Sequence, residues 1–363
     1  MAVLTATAGA FSFRASLAGK ALRERRPWLL LLLTFIAWAT ASSLWSSWPA
    51  HSQAPKLLAI TVLSLMFTAA AVADPDARRL TRAGMLAAFV VLTLLVSFEA
   101  VTHLALNRVF QPDLDDGNLE RNPARGVIIL LGMVWAVAGV LAARGGPWRT
   151  GLAALALLTT AALSLQFHQL VSLAAFAAGL AALGVGAVAP RFGLIAVTVG
   201  WAIWMLAAPI VSPLLARPEI MENVPLSWAA RIGIWEYTCA HIGEQFWIGH
   251  GLDASRAVSE RIEVRGLGMR GIPLHPHSGS LQIWYECGVI GALLAAAALV
   301  TGGLALARRL TGQRVVAAAA CATIASYGVI FNVSFGAWQE WWNAVMFVAA
   351  ACVGAIGFKA AKA

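Results

Sequence analysis

Charge is scarce in this 363-residue chain. Only 12% of its residues are Asp, Glu, Lys or Arg, against 60% hydrophobic. A soluble domain carries about 25% charged residues, so a water-soluble globular class is excluded. The four cysteines (Cys239, Cys287, Cys321 and Cys352) lack CxxC or metal-ligand spacing, which argues against a zinc ribbon or redox motif. Cys321 and Cys352 lie in apolar runs and read as filler, and a Cys239–Cys287 disulfide is disfavoured. Acidic residues are missing from the middle of those runs, and no run reads as a broken helix, so ion-coupled transport finds no support. No nucleic-acid motif accompanies the net charge of +9.

What is present is apolar sequence in lengths suited to crossing a bilayer as helices, roughly 17 to 25 residues each. About ten spans are expected, near 28–48, 56–73, 83–106, 125–143, 149–166, 170–189, 192–214, 280–306, 315–335 and 340–358. The expected class is an all-α polytopic membrane protein. A basic N-terminus over 1–27 precedes seven spans over 28–214. A long ordered loop over 215–279, three spans over 280–358 and a tail over 359–363 follow. Arg23–Trp48 also has the apolar centre of a signal peptide, but reads better as an uncleaved helix. Cytoplasmic loops carry the Lys and Arg excess. With both termini cytoplasmic, Arg78, Arg79, Arg82, Arg144, Arg149, Arg191, Arg308, Arg309 and Arg314 all fall inside. The long loop then faces the periplasm of an inner membrane.

That loop contains Trp228, Ile232, Trp235, Cys239 and Ile242 at helical spacing, the pattern of an amphipathic helix on the membrane surface or across a cavity mouth. "NRVFQPDLDDGNLERNPARG" (107–126) reads as a solvated loop, except that Arg125 opens a span and can reach inward. Ionisable residues within or beside spans are functional suspects. Glu99 and His103, four apart, are expected on one helix face. His168 and Gln169 occupy a tight turn, and Glu286 lies under two turns into the eighth span. Nine tryptophans, Trp45, Trp48, Trp228, Trp235, Trp247, Trp284, Trp338, Trp341 and Trp342, are expected chiefly as interfacial anchors.

"HPHSGSLQIWYECGVIG" (275–291) concentrates the chemistry. Ser278 or Ser280 can cap the following helix. The positive end of that helix disfavours an imidazolium at His277. A neutral imidazole suits a general base; a histidine that only caps or packs is the plain alternative. A zinc site built from His275, His277, His241 and His250 is disfavoured. An extended proline segment points the first two rings apart, and no third ligand has firm spacing. Among the loop arginines (Arg217, Arg231, Arg256, Arg261, Arg265 and Arg270), Arg231 stands out beside Trp228 and Trp235, placed to meet a headgroup or diphosphate.

These residues resemble the O-antigen ligase and O-antigen polymerase group of membrane glycosyltransferases. His277-Ser278, nine residues, Gly288, two residues and Gly291 fit the group's histidine motif. His275, Pro276, Leu281, Gln282, Trp284 and Glu286 match its longer form, with Ser278 replacing Asn. "SLWSSWP" (43–49), "ARGVIILLGMVW" (124–135) and "RIGIWEYTCAHIGEQFWIGHGLDASR" (231–256) look like the same group. The resemblance implies transfer of a glycan from an undecaprenyl-diphosphate carrier, without metal, nucleotide or other cofactor. The acceptor is lipid A–core in the ligase version or another lipid-linked unit in the polymerase version. It implies His277 as base and Arg231 as diphosphate holder. Arg125, His168, Gln169, Arg256, His275, Gln282 and Glu286 are the further candidates for binding diphosphate or sugar. The motif does not separate ligase from polymerase; a transporter or an inactive export scaffold is the rival from another class. Two departures stand out. Ligases carry a second arginine in a Ser-Arg context near the sixth span, where this chain reads "SLQFHQLVS", and they show about twelve spans.

Overall fold

The computed structural model describes residues 27–48, 53–167 and 169–357. The expected N-terminal segment up to residue 26, the whole expected tail over 359–363 and His168 lie outside the described residues.

Every expected span is a helix: α1 (Pro27–Ala41), α2 (Gln53–Ala71), α3 (Pro75–Val101), α4 (Arg121–Arg144), α5 (Pro147–Gln166), α6 (Leu170–Val188), α7 (Pro190–Val211), α9 (Gly279–Arg309), α10 (Arg314–Val333) and α11 (Glu340–Ala355). The amphipathic helix of the long loop is α8 (Leu226–Ile242). Nine helices among the described residues are long and apolar enough to cross a membrane. At 16 residues, α11 reaches about 24 Å and falls short of the ~30 Å hydrocarbon core. The chain is therefore an all-α, multi-pass membrane protein.

Local sequence explains the boundaries. Pro75, Pro147 and Pro190 occupy the first turns of α3, α5 and α7, where a missing N–H costs nothing. Asp74 caps α3 by accepting the Ala77 N–H at 2.8 Å. The bundle wraps α4 and α10, which are mostly buried, whereas α3, α5 and α7 present leucine and isoleucine outward. Trp135 of α4 donates to Ser326 Oγ of α10 at 3.1 Å, and Ser326 donates to the Ala175 carbonyl of α6 at 2.9 Å. Such bonds join helices in a medium where water cannot compete. At one end of the bundle the short connections carry Arg78, Arg79, Arg82, Arg144, Arg149, Arg191, Arg308, Arg309 and Arg314. The long loop closes the other, hereafter the site end.

Three expectations change. First, α3 stops at Val101, and His103 and Leu104 take left-handed φ values of 51° and 69°. Glu99 and His103 thus share no helix face. Second, the loop contains a hairpin, β1 (Arg261–Val264) with β2 (Leu267–Arg270), pairing Val264 with Leu267 across Arg265-Gly266. Both turn residues have positive φ, as a two-residue hairpin turn requires.

Third, α9 is broken. Gly288 sits at φ 64°, ψ −169°, a combination open in practice only to glycine. The segment 246–251 fills the gap. Val289 and Ile290 donate N–H to the carbonyls of Phe246 (2.9 Å) and Trp247 (3.4 Å). His250 and Gly251 donate to the carbonyls of Tyr285 (2.8 Å) and Glu286 (2.9 Å). Trp38 caps the Cys287 carbonyl at 2.9 Å. The loop thereby satisfies the backbone groups freed by the break, the condition for irregular backbone inside a membrane protein.

Gly288→Ala puts a Cβ against the Trp247 carbonyl oxygen as well as straining φ. It should destabilise the protein by at least about 2 kcal/mol, read as a lower melting temperature in detergent. Gly84→Ala, which meets open space inside α3, should melt at or above the parent, since alanine favours a helix over glycine by about 0.5–1 kcal/mol. Equal melting of the two variants would contradict the role assigned to the break.

Candidate active site

His277 precedes the first turn of α9 and is held in an unusual pose. Its φ is 55°, left-handed for a residue with a bulky side chain. Trp235 of α8 donates its indole N–H to the Pro276 carbonyl at 2.9 Å. The His277 N–H meets His275 Nδ1 at 3.1 Å, and Ser278 caps α9 by accepting the Leu281 N–H at 3.4 Å. This fold-back brings the two imidazoles together, with ring centroids 4.6 Å apart. The expected divergent rings are thus corrected, because the segment is not extended at His277. No group of three or more metal-type side chains occurs among the described residues.

The partners fix the tautomers. His277 Nδ1 lies 2.9 Å from the Ser334 carbonyl oxygen, which can only accept, so Nδ1 carries the proton. In the neutral ring this leaves Nε2 as a bare acceptor. Burial pushes the His277 pKa down and the nearby Arg231 charge lowers it further, while the Ser334 contact pulls the other way. His275 Nδ1 accepts an N–H, so its Nε2 carries the proton and donates to Gln339, 3.0 Å away. The Gln339 amide must then turn its oxygen toward the ring. Burial, with the positive character of His277 and Arg256, pushes the His275 pKa down to about 3.

Arg231 and Arg256 lie close enough to this pair for their charges to act on it, and Arg125 stands further along the 334–341 stretch. Arg231 of α8 is half-buried, stacked 5.3 Å over Trp228, with Nε lacking a hydrogen-bond partner. Arg256 pairs with the buried Asp253 at 3.3 Å. Arg125 is exposed at the start of α4 with its guanidinium 5.9 Å over Trp341. Trp341 meets Phe335 edge to face, with ring centroids 4.8 Å apart, beside the Ser334 that anchors His277.

Gln282 and Glu286 lie beneath, 2% and 0% exposed, with their polar atoms taken by the protein. Gln282 accepts the Ala337 N–H at 2.8 Å and donates to Glu286 at 3.0 Å. Glu286 also accepts from the Asp253 N–H (2.7 Å), the Ser255 N–H (3.4 Å) and the Trp338 indole (2.5 Å). These two residues hold the loops around the site. Gln169 lies at the start of α6 and donates to the Phe167 carbonyl at 3.1 Å.

Several residues escape sequence reasoning. Ser334 acts through its backbone carbonyl, which leaves no side-chain signal. Gln339 and Asp253 sit outside the histidine motif, and only "GHGLDASR" hints at the latter. Trp235, Trp284 and Trp342 prove to be buried rather than interfacial anchors; Trp284 donates to the Met205 carbonyl at 2.8 Å.

A many-span membrane protein with a neutral histidine and arginines gathered at one end is the class so defined. Residues 122–296, from α4 past the histidine motif, match the family described as O-antigen ligase, and over that stretch the chain is similar to it. Relatives named "Putative polysaccharide ligase" occur in Rickettsia. One from Rickettsia conorii is 31% identical over 152 residues, 39% of this chain and 36% of the relative. One from Rickettsia felis is 28% identical over 322 residues, 85% of this chain and 76% of the relative. One from Rickettsia typhi is 24% identical over 319 residues with the same shares. No solved structure matches the chain.

Because His275 is buried neutral, its folded pKa lies below its unfolded value of about 6.5. Its contribution is complete above that value and is lost as pH falls toward 3, by at most about 1.4 kcal/mol per pH unit. The protein should melt lower at pH 5 than at pH 7.5. His275→Asn, which offers His277 a comparable acceptor without titrating, should narrow that gap. A gap of unchanged size would show that His275 is not its source.

Proposed function

We propose that the chain transfers a glycan from an undecaprenyl-diphosphate carrier to a sugar hydroxyl, the lipid A–core acceptor of a ligase being the favoured version. The observation carrying this reading is His277: a neutral imidazole with Nδ1–H spent on a carbonyl and Nε2 bare, within reach of the Arg231 charge. Nε2 takes the acceptor's hydroxyl proton as that oxygen bonds to the anomeric carbon of the donor. The bond from that carbon to the diphosphate oxygen breaks, and the diphosphate leaves with the electron pair. Attack opposite the leaving group inverts the anomeric configuration. Arg231, with Arg256 nearby, stabilises the charge that the diphosphate gains. The proton on Nε2 then passes to the departing diphosphate, restoring the neutral base. Metal is not required in this scheme.

A cavity of about 370 Å³ supports a lipid-linked donor. It runs between α1, α2, α7, α9, α10 and α11, from Ala337 and Trp338 beside the site to Trp28 and Leu306 near the basic end. Its lining is almost wholly apolar, as a polyprenyl tail requires. The arginines of the short connections at the opposite end, from Arg78 to Arg314, favour a periplasm-facing site in the inner membrane. The relatives' names favour ligase over polymerase.

In a purified assay with lipid-linked glycan and lipid A–core, His277→Ala should lower transfer by about 10²–10⁴-fold. Arg231→Ala should also impair it, with Arg231→Lys restoring part. Chelation should leave the rate unchanged. Since unprotonated His277 is the active form and its pKa is depressed, the acid limb of the rate profile should fall below the ordinary imidazole range near 6.5. Full activity in His277→Ala would end this mechanism.

A further inference from the structure

The β1–β2 hairpin has no part in the site described above, yet it is fixed at its tip, its open end and its inner face. At the tip, Arg265 Nη1 donates to the carbonyls of Val224 at 2.7 Å and Met221 at 3.4 Å. At the open end, the Gly271 N–H meets the Glu260 carbonyl at 2.8 Å. On the inner face, Val264 and Ile262 pack onto Gly233 of α8, so closely that a Cβ there would lie 2.6 Å from Val264 Cγ2.

The outer face carries a cost. Strand alternation puts Ile262, Val264, Leu267 and Met269 on one side and Arg261, Glu263, Gly268 and Arg270 on the other. Arg261 and Arg270 stand directly opposite each other, and like charges so placed destabilise a sheet. Both are exposed. Arg261 donates to the Gly268 carbonyl at 3.0 Å. The Arg270 guanidinium has no hydrogen bond or ion pair among the described residues. Glu263, two residues nearer the tip, pairs with neither arginine.

The pair does not join Arg231. A helix turns about 100° per residue, so on α8 Gly233 stands about 200° from Arg231, whereas Trp235 stands only about 40° from it. Trp235 holds Pro276 beside His277, so Arg231 and Trp235 face the site and the hairpin packs on the other side of α8. The link to the site is the chain itself. Residues 271–276 run from Arg270 to His277, a reach of at most about 25 Å.

We infer that Arg261 and Arg270 form a remote subsite for the acceptor glycan, taking a phosphate- or carboxylate-bearing sugar several units from the hydroxyl that His277 activates. The inference rests on the glycan-transfer reading and adds to it the charge class of the acceptor. Two opposed guanidinium forks match the oxygens of one anionic group, and its binding removes the repulsion between them. Glu263 on the same face can accept a sugar hydroxyl. A platform already rigid loses little freedom on binding. The donor's diphosphate belongs at Arg231 and its tail in the apolar cavity, which no hairpin residue lines, so the hairpin is left to the acceptor.

The test uses the full chain purified in detergent, with glucose 6-phosphate and glucose as first probes. Because Arg231 can also hold a phosphate, binding is read in an Arg231→Ala background. There glucose 6-phosphate should bind about tenfold more tightly than glucose, the size of one charge-assisted contact. Adding Arg261→Ala or Arg270→Ala should bring the two within about twofold, and Arg270→Lys should keep part of the difference. Neither alanine variant should melt below its background, both side chains being exposed. With Arg231 intact, each alanine variant should raise KM for phosphorylated lipid A–core about tenfold at unchanged kcat, and leave KM for the dephosphorylated core as it was. An unchanged sugar-phosphate preference in both alanine variants overturns the subsite. So does a loss confined to binding of phosphatidylglycerol vesicles, which would make this face a lipid contact. A lost preference with an unmoved KM overturns the assignment to the acceptor. If the parent transfers no glycan while the sugar-phosphate preference stands, the transfer reading fails, and with it only the subsite's assignment to an acceptor.

Discussion

The carboxylate of Glu286 organises the site end of the bundle. A carboxylate taken from water into a protein interior costs several kcal/mol unless its oxygens are satisfied. Here the Gln282 amide, the Trp338 indole and the N–H groups of Asp253 and Ser255 satisfy it. Each donor comes from a segment that has to be in place: the first turns of α9, the 334–339 stretch and the loop after α8. Displacing any of these strips a bond from a buried charge. Their relative placement is therefore set before any substrate arrives.

His277, the proposed base, depends on that placement. Gln282 reaches from Glu286 to the Ala337 N–H, holding the stretch whose Ser334 carbonyl takes the Nδ1 proton of His277. Trp235 pins Pro276 from α8, so His277 is gripped from α8, α9 and the α10–α11 connection together. The left-handed φ at His277 is the strain such a grip sustains, of order 1–3 kcal/mol. Strain of this kind persists only where the surroundings determine the pose several times over, and here they do. The outcome is an imidazole with one allowed tautomer, a depressed pKa and a bare Nε2.

The break in α9 connects this arrangement to the membrane. A continuous helix would have no free backbone groups with which to bind the 246–251 segment. Gly288 opens the helix, and the loop closes it again through hydrogen bonds in both directions. The polar site and the apolar cavity are thereby joined at Ala337 and Trp338.

Much of this was legible in the residues. Apolar run length located all ten helices, and helical spacing of Trp228, Ile232 and Trp235 located α8. The spacing of His277, Gly288 and Gly291 marked the candidate site. What escaped notice depends on backbone conformation or distant pairing. The left-handed turns at His103 and His277 are carried by side chains that give no warning of positive φ. The break at Gly288 sits in a motif glycine that resembles any other glycine in an apolar run. Ser334 contributes a carbonyl, and Glu286 draws partners from over 30 residues away. Tryptophan frequency suggested a belt at the interface, yet several indoles serve as N–H donors to buried carbonyls instead.

The central claim is that His277 rests as the neutral Nδ1–H tautomer with Nε2 free to take a proton. Nitrogen chemical shifts of ¹⁵N-histidine-labelled protein at pH 7 test it directly, with the His277 signals identified by their loss in a His277 variant. The account predicts a protonated Nδ1 and an unprotonated Nε2. An imidazolium, or a ring protonated on Nε2, would contradict it.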